Sequence, residues 1–481
     1  MGDAPLMLGV SGLRGIVGES LTPELATRYA AAVGSWLRER IGRTPFVVVG
    51  RDGRAGGEMI AYAAVAGLQS TGARVCRLGV AMTPTVGVAT DMLSADAALI
   101  ITASHNPQQW NGIKILIRER SWQSAGDEET DACAPPAEMA SEIVARFEAN
   151  RVSLVGSVDL ADSWEDHDGP AFHCRRVTQA ASSLFGVDCF WDMLAGKVGR
   201  VVLDAVNASG VEADALFFED TACRMVQLHG EATGLFPHAP EPTKENLSAA
   251  GGLCDAVPGL SADVGFAQDP DADRLAIIDE TGSYIGEEMT LVLCAQALLE
   301  AMGDKARGRV ICTNLSTSRM IDDVAKRHGA RVVRTPVGEA HVVAAMREHN
   351  AVLGGEGNGG VIWPKVSFVR DSLSAMALVL GLRARTGQTI STLAAGRPSY
   401  AMIKRKAPLA ARSAILPALE RVTERYSGEK VDRQDGVRVD FADRWVHVRA
   451  SNTEPILRVI AEGPDQVLAE ALADEVLAIV G

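Results

Sequence analysis

A serine stands in the run Thr102-Ala103-Ser104-His105-Asn106-Pro107, directly after an apolar stretch from Ala97 to Ile101. A serine hydroxyl is a poor nucleophile alone and needs a base, a metal or a positive field. His105 is adjacent, and Lys114, within Trp110-Asn111-Gly112-Ile113-Lys114, supplies charge or a proton if the turn folds back. An ordinary polar turn between two strands reads the same way in isolation. A second run, Asp269-Pro270-Asp271-Ala272-Asp273-Arg274, sets three carboxylates at alternate positions after the apolar Val264–Gln268. Hard oxygen ligands at that density suit Mg²⁺, which takes a few carboxylates together with phosphate oxygens. The spacing opens like a calcium-binding EF-hand, but its sixth position is Arg274 where that loop needs Gly, and Leu275–Ile278 continues at once as a strand. Three acids converging between apolar strands repel one another without a cation, which weighs against a plain acidic turn.

Two further loops carry ligand-binding chemistry. Gly354-Gly355-Glu356-Gly357-Asn358-Gly359-Gly360 has five glycines in seven residues, so its backbone can approach a ligand closely. Glu356 and Asn358 suit sugar hydroxyls, although a flexible linker has the same composition. Arg449-Ala450-Ser451-Asn452-Thr453-Glu454-Pro455, with Arg458 beyond it, combines a guanidinium, hydroxyls, an amide and turn N–H groups. That is a plausible phosphate cradle, and equally a hairpin connection rich in turn-forming residues. Weaker still are Gly50-Arg51-Asp52-Gly53-Arg54 and Ser11-Gly12-Leu13-Arg14-Gly15, whose arginines fit surface ion pairs as well as a phosphate pocket.

These loops sit at the ends of regular elements. Thr22-Pro23-Glu24 predicts a helix start, with Thr as cap, Pro in the first turn and an acid near the positive end. Leu25, Tyr29, Ala32, Val33, Trp36 and Leu37 then recur at helical spacing. Phe46–Val49, Arg74–Leu78 and Ala97–Ile101 read as buried strands, with a helix over residues 58–70. Strands alternating with helices predict a mostly parallel sheet covered on both faces. The same grammar restarts at Arg200 and again at Arg309, and ligands in such sheets collect at the carboxyl ends of strands. Residues 118–170 read as a surface insertion and boundary, with one helix near 137–149. From Val437 the pattern alternates like half-exposed strands and closes in a helix from 464, which predicts a small α+β domain.

At 481 residues, 47% hydrophobic and 22% charged, the chain is globular and spans several domains. A formal charge of −14 argues against nucleic acid and acidic membranes. An anionic substrate would need a locally basic pocket. No run of eighteen apolar residues occurs, and the N-terminus has no basic-then-apolar leader. The eight cysteines are scattered with no Cys-x-x-Cys pair, which reads as reduced thiols in a cytoplasmic protein.

Taken in order, the serine loop with Lys114, the Asp269–Arg274 loop, the Gly-Glu loop and the Arg449–Pro455 loop, together with Ser11–Gly15, resemble the α-D-phosphohexomutase family along nearly the whole chain. The resemblance implies three similar α/β domains with mixed, mostly parallel sheets and a smaller C-terminal α+β domain around a central cleft. We place these at residues 1–168, 169–288, 289–398 and 399–481. It implies a phosphoserine at Ser104 and Mg²⁺ held by Asp269, Asp271, Asp273 and a phosphoserine oxygen. Lys114 and His105 would assist proton movement, and Arg14 and Arg274 would support the serine. Glu356 and Asn358 would bind sugar hydroxyls, and Arg449, Ser451, Asn452, Thr453 and Arg458 the non-reacting phosphate. A sugar bisphosphate would serve as intermediate and activator, on a monomer or homodimer that acts on a hexose phosphate.

Three departures from the family pattern stand out. Pro270 takes the place of a Gly between the first two acids, Asn358 and Gly360 replace Ser and His in the sugar loop, and Glu339-Ala340-His341 follows Val337-Gly338 where a basic residue is usual. The Gly-Glu-Gly-Asn-Gly-Gly form is similar to archaeal-type phosphoglucosamine mutases. The expected reaction is therefore glucosamine 6-phosphate to glucosamine 1-phosphate, ahead of a phosphomannomutase/phosphoglucomutase. Readings of another class are a sugar-phosphate phosphatase or a non-catalytic sugar-phosphate-binding protein.

Overall fold

Thr22 opens the first long helix as its spacing predicts: its side chain accepts from the Leu25 N–H at 3.2 Å, and the helix runs Pro23–Ile41. Such a cap is worth about 1 kcal/mol. The computed structural model describes residues 5–9, 12–119, 130–219, 221–396, 400–409, 411–450 and 456–481. The chain forms two compact units, one of Met1–Met302 with Asn358–Leu393 and the other of Gly303–Gly357 with Ala394–Gly481.

In the first unit a seven-stranded sheet takes the order β1-β2-β6-β5-β3-β4-β7. Its strands are β1 (Met7–Gly9), β2 (Gly12–Ile16), β3 (Phe46–Arg51), β4 (Arg74–Val80), β5 (Ala97–Ile101), β6 (Trp110–Ile117) and β7 (Ser163–Glu165). The centre is parallel, with β3 between β4 and β5, whereas β6 runs antiparallel to both β5 and β2. Every residue of β5 is buried, which is why it reads as an unbroken apolar run rather than an alternating one. A second, four-stranded sheet follows the order β11-β10-β8-β9, formed by β8 (Arg200–Asp204), β9 (Arg224–Leu228), β10 (Val264–Gln268) and β11 (Leu275–Asp279). β10 is parallel to β8 and antiparallel to β11, so the Asp269–Arg274 run is the turn between two fully buried strands.

The segment expected to be a surface insertion is structural over much of its described length. Cys133 bridges to Ile117, Met139, Ile143 and Phe147 of the helix Ala137–Glu148 join the main core, and β7 pairs with β4. Local composition hides this because the few apolar residues that bury are spaced among charged ones.

In the second unit, Val310–Asn314 lies parallel to both Arg331–Thr335 and Leu353–Glu356. Its C-terminal part is a five-stranded antiparallel sheet. Val437, Val439, Val446, Val448, Leu457 and Val459 form one apolar core with residues of the helices Ile415–Arg425 and Gln466–Val480. The architecture is thus three α/β domains and a smaller α+β domain, as the patterning predicts. Among the described residues no helix is long and apolar enough to cross a membrane, and all eight cysteines are free.

Candidate active site

Ser104 follows β5 by three positions and has φ of 51°, an uncommon conformation for a side-chain-bearing residue. Local bonds hold it there. The Ser104 N–H donates to Thr102 Oγ1 at 2.8 Å, and the Thr102 hydroxyl donates to Asp52 Oδ2 at 2.7 Å. Asp52 also accepts from Arg54 Nε at 2.8 Å, and that guanidinium donates to the Ser104 carbonyl and, at 2.7 Å, to that of Trp110. Asp52 and Arg54 have fully buried side chains. Strain at a buried serine, over-determined by such a network, marks functional sites.

The metal-loop turn brings its side chains to the same place. Ser104 Oγ donates to Asp269 Oδ2 at 2.9 Å and receives Arg274 Nη2 at 3.2 Å. Carboxylate oxygens of Asp269, Asp271 and Asp273 all lie within 4.8 Å of one another, and all three residues are buried. The turn is pinned through the carbonyl of Pro270, which accepts from Ser209 Oγ at 2.7 Å. Proline in place of glycine therefore leaves the acids converging. Lys114 Nζ reaches Asp271 at 2.5 Å and Asp273 at 3.1 Å. Arg14 Nη1 donates to Asn106 Oδ1 of the serine loop at 3.1 Å.

Charge sets the behaviour of these groups. Burial and the neighbouring Asp273 and Asp271 push Asp269 up to about 7. Burial also raises Asp273, but Arg370, Lys114 and Arg274 outweigh it and hold that carboxyl well below the usual range. Desolvation pulls the Lys114 ammonium down, and Asp271 and Asp273 more than restore it. His105 is driven down to about 3, by burial first and then by Arg274 and Arg14. Its Nδ1 receives the Arg274 guanidinium. Because arginine only donates, His105 is a neutral acceptor there.

The same cluster fits a hard divalent cation. Asp271 Oδ1 and Asp273 Oδ1 are buried without a hydrogen-bond partner, and buried carboxylate oxygens in that state call for a metal or a proton. Arg14, Arg274, Lys114 and Arg370 surround the three carboxylates, and Glu241 adds a fourth acid 3.7 Å from Arg274, so the acids are matched by cations one for one.

Four family models together match most of this chain. They are the phosphoglucomutase/phosphomannomutase alpha/beta/alpha domains I, II and III, over residues 5–129, 184–282 and 286–400, and the C-terminal domain over 402–479. The chain belongs to the phosphoglucomutase/phosphomannomutase family. It is a phosphohexomutase, an isomerase that transfers a phosphoryl group within a hexose phosphate. It is 35% identical over 462 residues to a phosphoglucomutase/phosphomannomutase of Thermococcus kodakarensis, covering 96% of this chain and 95% of that one. It is 36% identical over 478 residues to a probable phosphoglucosamine mutase of Methanopyrus kandleri, covering 98% and 97%. The crystal structure of a phosphoglucomutase/phosphomannomutase family protein from Burkholderia thailandensis shares the fold, with a TM-score of 0.80 at 24% identity over 98% of each chain.

The remaining predicted residues of the phosphohexomutase are spread over both units. In the second, Glu356 is buried at the end of a strand and accepts from Asn314 Nδ2 at 2.8 Å and the Gly338 N–H at 3.1 Å. Arg449 pairs with Asp435 at 3.1 Å. Arg449 and Arg458 stand directly opposite each other on paired strands, and Lys406 opposes Arg458 on the next. Like charges so placed repel unless an anion joins them. Ser451, Asn452 and Thr453 lie outside the described residues, as does Ser11. In the first unit, Asn358 turns its Oδ1 back to the Gly360 N–H at 3.2 Å. His341 is exposed on the helix Glu339–Glu348. The glycine-rich run is mostly strand: Leu353–Glu356 and Gly360–Ile362 are both buried.

Sequence reasoning missed Arg370, which donates to Asp273 Oδ2 at 2.6 Å from 97 positions away. It also missed Thr83, whose hydroxyl donates to Asp271 Oδ2 at 2.7 Å. Neither carries a local signal. Asp52 and Arg54 did carry one, a charged pair among glycines at a strand end, but their task is to hold the Ser104 backbone.

Proposed function

We propose that this phosphohexomutase converts glucosamine 6-phosphate to glucosamine 1-phosphate, with Ser104 as its reusable phosphoryl carrier. The observation that carries the reading is a strained, buried serine whose Oγ meets both Asp269 and Arg274 beside the three converging aspartates. The form of the glycine-rich loop and the 36% identity to a probable phosphoglucosamine mutase support the choice of sugar.

Asp269, Asp271 and Asp273, with an oxygen on Ser104, would hold Mg²⁺, which offsets charge on a transferring phosphoryl group. Arg274 and Arg14 hold the serine loop and its charge in place, and Lys114 keeps its cation beside the acids. His105, neutral at physiological pH, is a hydrogen-bond acceptor for Arg274 more than a proton donor. Glu356 and Asn358 would contact sugar hydroxyls. Arg449 and Arg458, with Ser451, Asn452 and Thr453, would take the phosphate that does not react. A sugar bisphosphate is the intermediate and primes the serine, and it must turn so that either phosphate can reach Ser104.

The test compares kcat/KM for glucosamine, glucose and mannose 6-phosphates, each primed with its bisphosphate. Glucosamine 6-phosphate should lead; a clear lead by glucose or mannose would overturn the sugar assignment. Release of inorganic phosphate in step with substrate loss would show a phosphatase instead.

A further inference from the structure

Asp204, His229 and His238 meet at the carboxyl end of β8. Asp204 is buried, and each of its oxygens faces an imidazole: His229 Nδ1 lies 3.1 Å from Oδ1 and His238 Nε2 lies 3.0 Å from Oδ2. The two rings are 5.2 Å apart, edge to face. The ligand atoms of all three residues fall within 4.8 Å of one another.

The orientation of His238 narrows the chemistry. Its Nδ1 lies 2.8 Å from the Ala239 carbonyl, which can only accept, so Nδ1 carries a proton. Its Nε2 then faces a carboxylate oxygen, also an acceptor. That arrangement requires either a second proton on the ring or a cation between Nε2 and the carboxylate. A metal-bound histidine characteristically donates its other N–H to a backbone carbonyl, which fixes tautomer and ring orientation. Neighbouring ligands around a tetrahedral zinc lie ~3.3 Å apart, given bonds near 2.0 Å, and the two nitrogen–oxygen separations are close to that. The imidazoles keep 31% and 22% of their side-chain surface exposed, which leaves a path for an ion and room for water.

We propose that Asp204, His229 and His238 form a second metal site, distinct from the aspartate cluster, for a transition-type divalent ion such as Zn²⁺. Two imidazoles and one carboxylate select such an ion over Mg²⁺, which prefers oxygen.

The site lies at the root of a loop that reaches the serine. Gly234, at φ of 67°, packs so tightly on the Gly53 carbonyl that a Cβ would fall 1.9 Å from its oxygen. The Gly234 carbonyl accepts from Gln108 Nε2 at 2.9 Å, and the Phe236 N–H donates to Gln108 Oε1 at 2.8 Å. Arg54, which holds the Ser104 carbonyl, stacks over Phe236 at 5.1 Å. An ion joining His229 and His238 to β8 would close both ends of this loop and brace the Ser104 turn.

The full-length protein, stripped with chelator and held in excess Mg²⁺ to fill the aspartate cluster, is titrated with Co²⁺ as a visible probe. The intense d–d bands of a low-coordinate, nitrogen-ligated ion should rise to saturation, and Zn²⁺ should displace them. His229→Gln and His238→Gln should each weaken binding at least ~10-fold, since even outer partners of a metal site are worth that much. Asp271→Asn should leave the bands unchanged. If a histidine variant fails to fold, protection of both histidines in the natural protein from diethylpyrocarbonate by Zn²⁺ gives the same answer. A weak octahedral spectrum shared by all the variants, or no Zn²⁺-dependent protection, would overturn the site and leave a protonated His238 in its place.

Discussion

Ser104 Oγ lies 2.9 Å from Asp269 Oδ2, although 165 positions separate the two residues in the chain. The contact joins the end of a strand in one sheet to a hairpin turn in another. It also sets the proposed nucleophile against a carboxyl group that its neighbours push up to about 7. Arg274 Nη2 donates to the same hydroxyl at 3.2 Å. The serine is therefore held by a carboxyl group and a guanidinium before any substrate arrives.

Replacing that hydroxyl removes the proposed carrier. Ser104→Ala should lower mutase turnover by at least ~10³-fold, because no other group can take the phosphoryl. Circular dichroism should be unchanged. Near-normal conversion by the variant would rule out a phosphoserine path.

Asp52 joins Thr102 to Arg54 inside a buried network. Asp52→Asn leaves the Arg54 charge buried without its partner, a change that costs about 3 kcal/mol or more. Urea unfolding should show that loss. Turnover should fall as well, because Arg54 holds the Ser104 carbonyl. An unaltered urea midpoint would mean that the network is dispensable.

Chelation should abolish turnover, and Mg²⁺ should restore it. Charge stabilisation of several kcal/mol corresponds to a loss on the order of 10³-fold. Mg²⁺ should also raise the unfolding temperature of the stripped protein, since it binds the folded state and relieves repulsion among Asp269, Asp271 and Asp273. Full activity in chelator would remove the metal from the reading.

Asp214 gives a pH signature of its own. Burial pushes its carboxyl up to about 8, with a single opposing bond from Gln268. An unfolded aspartate titrates at about 3.9, so between these values the folded chain holds a proton that the unfolded chain has released. Stability from this group is therefore lost as pH rises from about 4 towards 8. Asp214→Asn should remove that slope, gaining on the natural protein across this window. Parallel stability–pH curves for the two proteins would contradict the buried, protonated carboxyl.

Much of this site was legible in one dimension. The serine loop, the three alternating aspartates and the glycine-rich run are local patterns, and the strands beside them are continuous apolar runs because they are buried on both faces. The first helix could be placed from its cap. The insertion reading of residues 118–170 was the main miss, because Met139, Ile143 and Phe147 are too sparse to announce a core.

The chain itself determined which residue types could act and where each strand would deliver them, since cap chemistry and hydrophobic period are short-range properties. Only the tertiary structure decided what they would meet. Arg370 beside Asp273, Arg54 under Ser104, and two histidines on Asp204 are contacts between elements remote in sequence. They exist because sheet pairing and helix packing close long loops, and no pattern within a few residues records which ends will meet.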